Sequence, residues 1–368
     1  MSFTREDTQK VKGFAILLMI FHHLYYSPER YEGKTVIFSP FSEAAVNFVS
    51  KQSKICVAIF AFLSVYGMTL SYLKKNRELT FTRRETEELV LRRYIRMIGG
   101  FAFVLLVLVA AGFVVQPHRF FDIYGTNAVT LIYFLVDLSG LAELFQTPTY
   151  YHTFWYMSLA VIFIFLLPAA LQLYRKFGAA VLIAVSLLIA VMFPTIEGNN
   201  YADFPKYVCC LAGGIIAAER NWIGRICDWQ PGGSRIMKPA LETAVFLGLF
   251  CLRKYVSVVP VRFLCDGFIP VIVCALFAGY INKIPGISRL LDVFGKYSMT
   301  IFLIHNFIRR VWGYHFTYWF RYWWLIFLVL AVDSLIGAIV ITWLKKLIRY
   351  QKLVDWIERK VMNRLEIA

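Results

Sequence analysis

The sequence predicts an all-α, polytopic membrane helix bundle with about ten transmembrane helices, and three observations lead there. Hydrophobic residues make up 59% of the 368 positions and charged residues only 17%, against about half and about a quarter in soluble domains. Mean hydropathy is +0.61. The apolar residues also gather in runs approaching the ~20 residues that a helix needs to cross a hydrocarbon core of about 30 Å. A disordered chain, a collagen and a disulfide-stapled miniprotein are excluded.

Taken in order, the runs lie near 12–28, 50–73, 97–115, 153–173, 178–196, 206–219, 238–253, 260–282, 296–316 and 322–345. The stretch 127–145 is apolar too, but Asp137, Gly140 and Glu143 interrupt it. It reads as a re-entrant or interfacial segment. The loop 74–96 is mixed in charge, with acids and bases at helical i,i+4 spacing. With the N-terminus inside, 27 of the 39 basic residues fall on inner segments and 12 on outer ones. The positive-inside rule therefore puts both termini in the cytoplasm of a multi-pass protein of the cell (plasma) membrane. Residues 1–345 form the membrane domain and 346–368 a cytoplasmic tail. The tail sets Leu347, Leu353, Val354, Trp356, Ile357 and Val361 among charges, the pattern of an amphipathic helix anchored on the inner leaflet.

The net charge of +16 is what inner-leaflet anchoring produces, so membrane lipids are the expected partners and nucleic acid is not. The seven cysteines are odd in number, lie mostly in apolar runs and lack metal-ligand spacing. They read as core residues, with no metal site. The charged N-terminus is unlike a cleaved signal peptide, so the first helix is expected to stay.

Ionisable groups inside a bilayer are expensive and become functional candidates by default. The run 12–28 holds His22 and His23, the run 296–316 holds His305 and Asn306, and the run 50–73 holds Ser64. His23 lies about 16 Å above Lys12, His305 about 14 Å above Lys296 and Ser64 about 15 Å above Lys74, at 1.5 Å per residue. All three are expected near mid-membrane, as a polar site or as satisfied core residues. Arg92, Arg93 and Arg96 cluster at the mouth of the third run. Guanidinium forks there suit a phosphate-bearing ligand, and snorkelling to the inner leaflet explains them equally well.

These residues match a family pattern. KGFAILLMIFHH separates Lys12 from His23 by ten residues, CVAIFAFLSVYG carries Ser64, and RRYIR carries Arg93 and Arg96. FWYMSLAVIFIFLLP holds Trp155, Ser158 and Pro168, and GKYSMTIFLIH holds Gly295, Ser298 and His305. In this order the motifs resemble those of the acyltransferase-3 family of integral membrane O-acyltransferases, in its stand-alone form. The chain differs from the pattern at Lys12, where the family usually has Arg, and at Val65, where Gly usually follows the serine. Ala160 replaces a common Glu, and His152 stands three residues before Trp155 instead of two.

The resemblance implies an acyltransferase that moves an acyl group, acetyl in the first instance, from coenzyme A to a hydroxyl of an extracytoplasmic envelope glycan or lipid-linked sugar. It implies catalytic roles for His23, His305 and Ser64, and contact of Lys12, Arg93 and Arg96 with the acyl-CoA donor. Trp155, Tyr156, Ser158 and His152 would face the acceptor. A hydroxyl needs a base near working pH, which histidine supplies. The competing class is a proton-coupled transporter or exporter, in which buried histidines relay protons. It favours inverted repeats and broken helices in corresponding halves, and neither is visible in the sequence. The oligomeric state stays open, a homo-oligomer included.

Overall fold

The computed structural model describes residues 3–192, 203–231, 237–256 and 258–367. Among the described residues the chain is helical, and its β-structure is one isolated bridge between Ile37 and Tyr322. The helices are α1 (Arg5–Tyr25), α2 (Glu43–Gln52), α3 (Ile55–Lys75), α4 (Arg83–Val115), α5 (Arg119–Tyr124), α6 (Thr130–Leu138), α7 (Trp155–Met192) and α8 (Asp203–Glu219). They continue as α9 (Trp222–Asp228), α10 (Met237–Tyr255), α11 (Val259–Gly279), α12 (Pro285–Asn306), α13 (Tyr314–Trp319), α14 (Trp323–Leu347) and α15 (Tyr350–Ile367). Five helical stretches among the described residues are long and apolar enough to cross a membrane: Glu43–Lys75, Arg83–Val115, His152–Met192, Val259–Lys283 and Trp323–Leu347. The stretch through α7 takes in two of the predicted runs. Gly178, at φ 80°, breaks α7 between them, in the left-handed region that glycine enters without steric penalty. The end of the run 178–196 lies outside the described residues.

Several local features follow from the sequence. Thr82 caps α4 with its hydroxyl, accepting from the Glu85 N–H while the Glu85 carboxylate accepts from the Thr82 N–H, a reciprocal capping box. That capped start carries α4 out of the charged loop and through an apolar run. Within 127–145, α6 has only nine residues, a reach of about 14 Å at 1.5 Å each.

One expectation is corrected. The run 296–316 is not a single helix: α12 begins at Pro285, well before it, and ends at Asn306. The extra turns were hidden by Arg289, Asp292 and Lys296, yet Ser288, Leu291 and Phe294 keep a buried face at helical spacing. After Asn306 the chain winds into a π turn, Phe307–Trp312, closed by the Gly313 N–H donating to the Ile308 carbonyl at 2.8 Å.

The chain forms two compact units. The first comprises Met1–Ala15, Ile55–Thr80 and Phe165–Lys296. In it α8 packs against α3 and α11, and α10 against α11. The start of α1 approaches α12 so closely that a Cβ on Gly13 would run into the Leu291 carbonyl, and one on Gly295 into the Gln9 carbonyl. Gln9 Nε2 also donates to Asp292 Oδ1 at 2.7 Å.

The second unit comprises Ile16–Lys54, Phe81–Ile164 and Tyr297–Ala368. Here the tail helix α15 lies along α4. The Tyr350 ring is 4.8 Å from that of Phe103, and Val354 fills the space that a Cβ on Gly99 would need.

Candidate functional site

The second unit brings His23 and His305 together, with ring centroids 5.1 Å apart. His23 lies two residues before the end of α1 and His305 one before the end of α12. The pair therefore sits at two helix termini and not half-way along them, as the depth comparison expects. The His305 Nδ1 lies 2.9 Å from the Ile301 carbonyl. A carbonyl only accepts, so Nδ1 carries the hydrogen, and Nε2 of the neutral ring holds a lone pair. Both that Nε2 and the His23 Nδ1 are buried with no hydrogen-bond partner among the described residues. Buried polar atoms are nearly always satisfied, so two orphans on facing rings mark a place where chemistry or a ligand completes the bonding. Two imidazoles this close do not readily both become cations.

His22 is built differently. Its Nδ1 donates to the Ser50 carbonyl at 2.8 Å, and the Ser50 hydroxyl donates back to the carbonyls of Phe21 and His22 at 3.0 and 3.2 Å. Ser50 is fully buried and staples α2 to the last turn of α1, which holds His23 in place. Residues 22 and 23 project about 100° apart on a helix, and this separates the staple from the pair. Ser64, half-buried on α3, and Lys12, half-buried near the start of α1, belong to the first unit.

The arginines at the mouth of α4 have a partner that sequence reasoning missed. Glu358 of α15, itself buried, accepts from Arg96 Nε at 2.7 Å and from Arg92 Nη1 at 3.1 Å. Arg93 is exposed and has no acidic partner among the described residues. Of the predicted acceptor-facing residues, His152 is exposed, while Trp155 and Tyr156 are half-buried and edge-on to each other at 6.1 Å. Tyr156 also meets Phe302, three residues before His305, at 5.5 Å. The buried Ser158 donates its hydroxyl to the Gly140 carbonyl at 2.8 Å, tying α7 to the turn after α6. Asp137, fully buried, accepts from the Tyr124 hydroxyl, the Thr149 hydroxyl and the Tyr150 N–H.

Beyond the histidines lies a group with no sequence precedent in the motif pattern. Arg309, one turn past His305, is 1% exposed. Its Nε donates to Asn306 Oδ1 at 3.0 Å and its Nη1 to the Arg30 carbonyl at 3.4 Å. Arg119 stands over the rings of Tyr150, Phe307 and Tyr151 at 5.3, 5.5 and 6.0 Å. A clue was present: Arg30, Arg119, Arg309 and Arg310 all belong to the outer minority of basic residues that the positive-inside rule does not explain.

No curated protein and no solved structure matches the chain. The family model described as an acyltransferase domain matches residues 11–343. That span includes the paired histidines and every motif from Lys12 to His305, and the chain accordingly belongs to the acyltransferase-3 family of membrane acyltransferases.

Proposed function

We propose that the protein transfers an acyl group, acetyl in the first instance, from coenzyme A to a hydroxyl of an extracytoplasmic glycan or a lipid-linked sugar. The observation that carries this reading is the His23–His305 pair, with facing rings and two unsatisfied ring nitrogens, in a chain of an acyltransferase family. In the reaction the acceptor oxygen bonds to the acyl carbon and the thioester C–S bond breaks. The hydroxyl proton passes to a histidine and then to the departing thiolate, so the site ends as it began. His23 is the motif residue and the first base. His305, anchored through Nδ1–H on Ile301, supplies a second lone pair beside it and orients the ring. Burial keeps bulk water from hydrolysing the thioester.

Donor contact falls to Arg93 and Arg96, with Arg93 exposed and without an acidic partner among the described residues and Arg96 held by Glu358. Trp155, Tyr156 and His152 offer aromatic faces and a ring nitrogen to a sugar, while Ser158 positions the helix that bears them. Ser64 and Lys12 rest on their motif positions alone. The charge asymmetry supports ten crossings with both termini in the cytoplasm of the plasma membrane, and residues 127–145 re-entrant or interfacial. On that orientation the donor enters from the cytoplasm and the acceptor from outside.

The test is release of free thiol from acetyl-coenzyme A by the purified protein, with a parallel mass comparison of envelope glycans from cells with and without the chain. An increase of one acetyl group, lost with His23→Ala, is the expected result. No thiol release and no glycan mass difference would overturn the assignment.

A further inference from the structure

Four arginines of the second unit converge where α1, α4 and α12 end and α7 begins. Arg30 follows α1, Arg119 follows α4, and Arg309 and Arg310 lie in the π turn after α12. His152, at the entrance to α7, is within electrostatic reach of all four. Burial, and after it the charges of Arg309 and Arg310, pull the Arg30 pKa below the ordinary value. Guanidinium groups stay charged under any physiological condition, so their mutual repulsion is not relieved by losing protons.

Among the described residues no buried carboxylate relieves it either. Among the described residues none of the four makes an ion pair with Asp or Glu. Asp137 is occupied by Tyr124, Thr149 and Tyr150. Glu29, adjacent in sequence to Arg30, attracts it but is exposed, where water screens the charge. Elsewhere the chain does match arginine charge with a buried carboxylate: largely buried Arg253 is hydrogen-bonded to Asp266, and the more exposed Arg92 and Arg96 to Glu358. Here, by contrast, Arg309 Nη2 and Arg119 Nε are buried donors without partners among the described residues, and the hydroxyls of Tyr151 and Thr153, on either side of His152 in the chain, are unsatisfied as well. Exposure falls from Arg310 and His152 at the surface, through half-buried Arg30, to buried Arg309. That gradient is an entry for something that carries negative charge inward.

We propose that Arg30, Arg119, Arg309 and Arg310 form a binding site for a phosphate or diphosphate group, the anionic end of a lipid-linked acceptor. Its oxygens would take the vacant guanidinium N–H donors in the forked geometry that arginine offers to phosphate. Arg309 is one turn from His305, so an anion bound there would hold its attached sugar near the histidine pair. Only this last step rests on the acyltransferase reading; the anion site stands on the arginines themselves.

The experiment measures binding of inorganic pyrophosphate by calorimetry to the full chain in zwitterionic nanodiscs, without any acyl donor. Binding by the wild type that weakens roughly tenfold in Arg309→Gln and in Arg310→Gln, but not in Arg83→Gln, is the expected outcome. Arg310 is exposed, so its variant serves should Arg309→Gln fail to fold. Absence of binding by the wild type, or equal affinity in all variants, would overturn the proposal. Competition then identifies the source of the anion. Displacement of pyrophosphate by farnesyl diphosphate supports the lipid-linked acceptor. Displacement by coenzyme A alone, or by phosphatidylglycerol alone, overturns that part and assigns the anion to donor or bilayer. Because no transfer is measured, failure here leaves the acyltransferase reading standing, and failed thiol release leaves this site standing.

Discussion

The two ends of α4 carry two arginine clusters with opposite fates. Where its apolar stretch begins, Arg92 and Arg96 share the buried carboxylate of Glu358 and fasten α15 to the helix. Past its end, Arg119 joins Arg30, Arg309 and Arg310 with no acid ion-paired to them among the described residues. Between Arg96 and Val115 α4 rises about 28 Å at 1.5 Å per residue, close to the thickness of a hydrocarbon core. The same residue type is thus satisfied within the chain at one face and left open at the other. A sequence count treats both as surface cations. The difference teaches that a buried arginine reports on function when its counter-charge is missing, more than by its presence.

The largest expected effect concerns the histidine pair that lies on the open side. His23→Ala should lower transfer by about 10²–10⁴-fold, the usual range for a general base, with expression and donor binding retained. His22→Ala should preserve turnover and instead cost about 1–3 kcal/mol of stability, because the Ser50 carbonyl loses its donor. Steady-state rates and thermal melts of both variants separate the two roles, and a reversed pattern would exchange the assignments.

The closed cluster is broken next. Glu358→Gln takes the negative charge from Arg96 and leaves Arg92 with Glu88 alone as its carboxylate partner, and a loss of about 1 kcal/mol is expected, seen as a lower melting temperature and faster proteolysis of α15. Donor affinity sharpens the comparison within that cluster. Arg93→Ala should weaken coenzyme A binding by roughly tenfold, the worth of one charge-assisted bond, measured by calorimetry. Arg96→Ala acts on the donor and on the tail together. The smallest effect is steric: Gly99→Ala puts a methyl 2.8 Å from Val354 Cγ2, which should cost about 1 kcal/mol, and a paired Val354→Ala should restore it.

Much of the helical layout was legible because apolar runs with polar ends announce themselves. α3, α11 and α14 lie within a few residues of their runs, and α4 ends with its run at Val115 but begins at Arg83, in what reads as a charged loop. The first half of α12 was hidden because its buried face is only one residue in three or four and charges fill the rest. The pairing of His23 with His305 was legible as motif spacing, but their placement at helix ends was not, since the π turn has no sequence rule that a count of apolar residues detects. Glu358 was invisible for another reason. It reads as one charge in an amphipathic tail, and its meeting with Arg92 and Arg96 spans more than 260 positions of chain.

The π turn has a further consequence. An α-helix advances by 100° per residue, and the wider i→i+5 winding advances by less. Six residues of it, Phe307–Trp312, therefore act as a phase offset between α12 and everything that follows. The offset sets the angle at which Arg309 and Arg310 leave the axis relative to His305, and the direction from which α13 and α14 return. Deleting one residue from this stretch would restore the tighter winding and swing Arg310 toward the bearing now held by Arg309. It would also turn every later side chain by the same amount. The spacing between His305 and the arginines of the π turn is thus kept as an angle, and a one-residue change in length alters it more than most substitutions do.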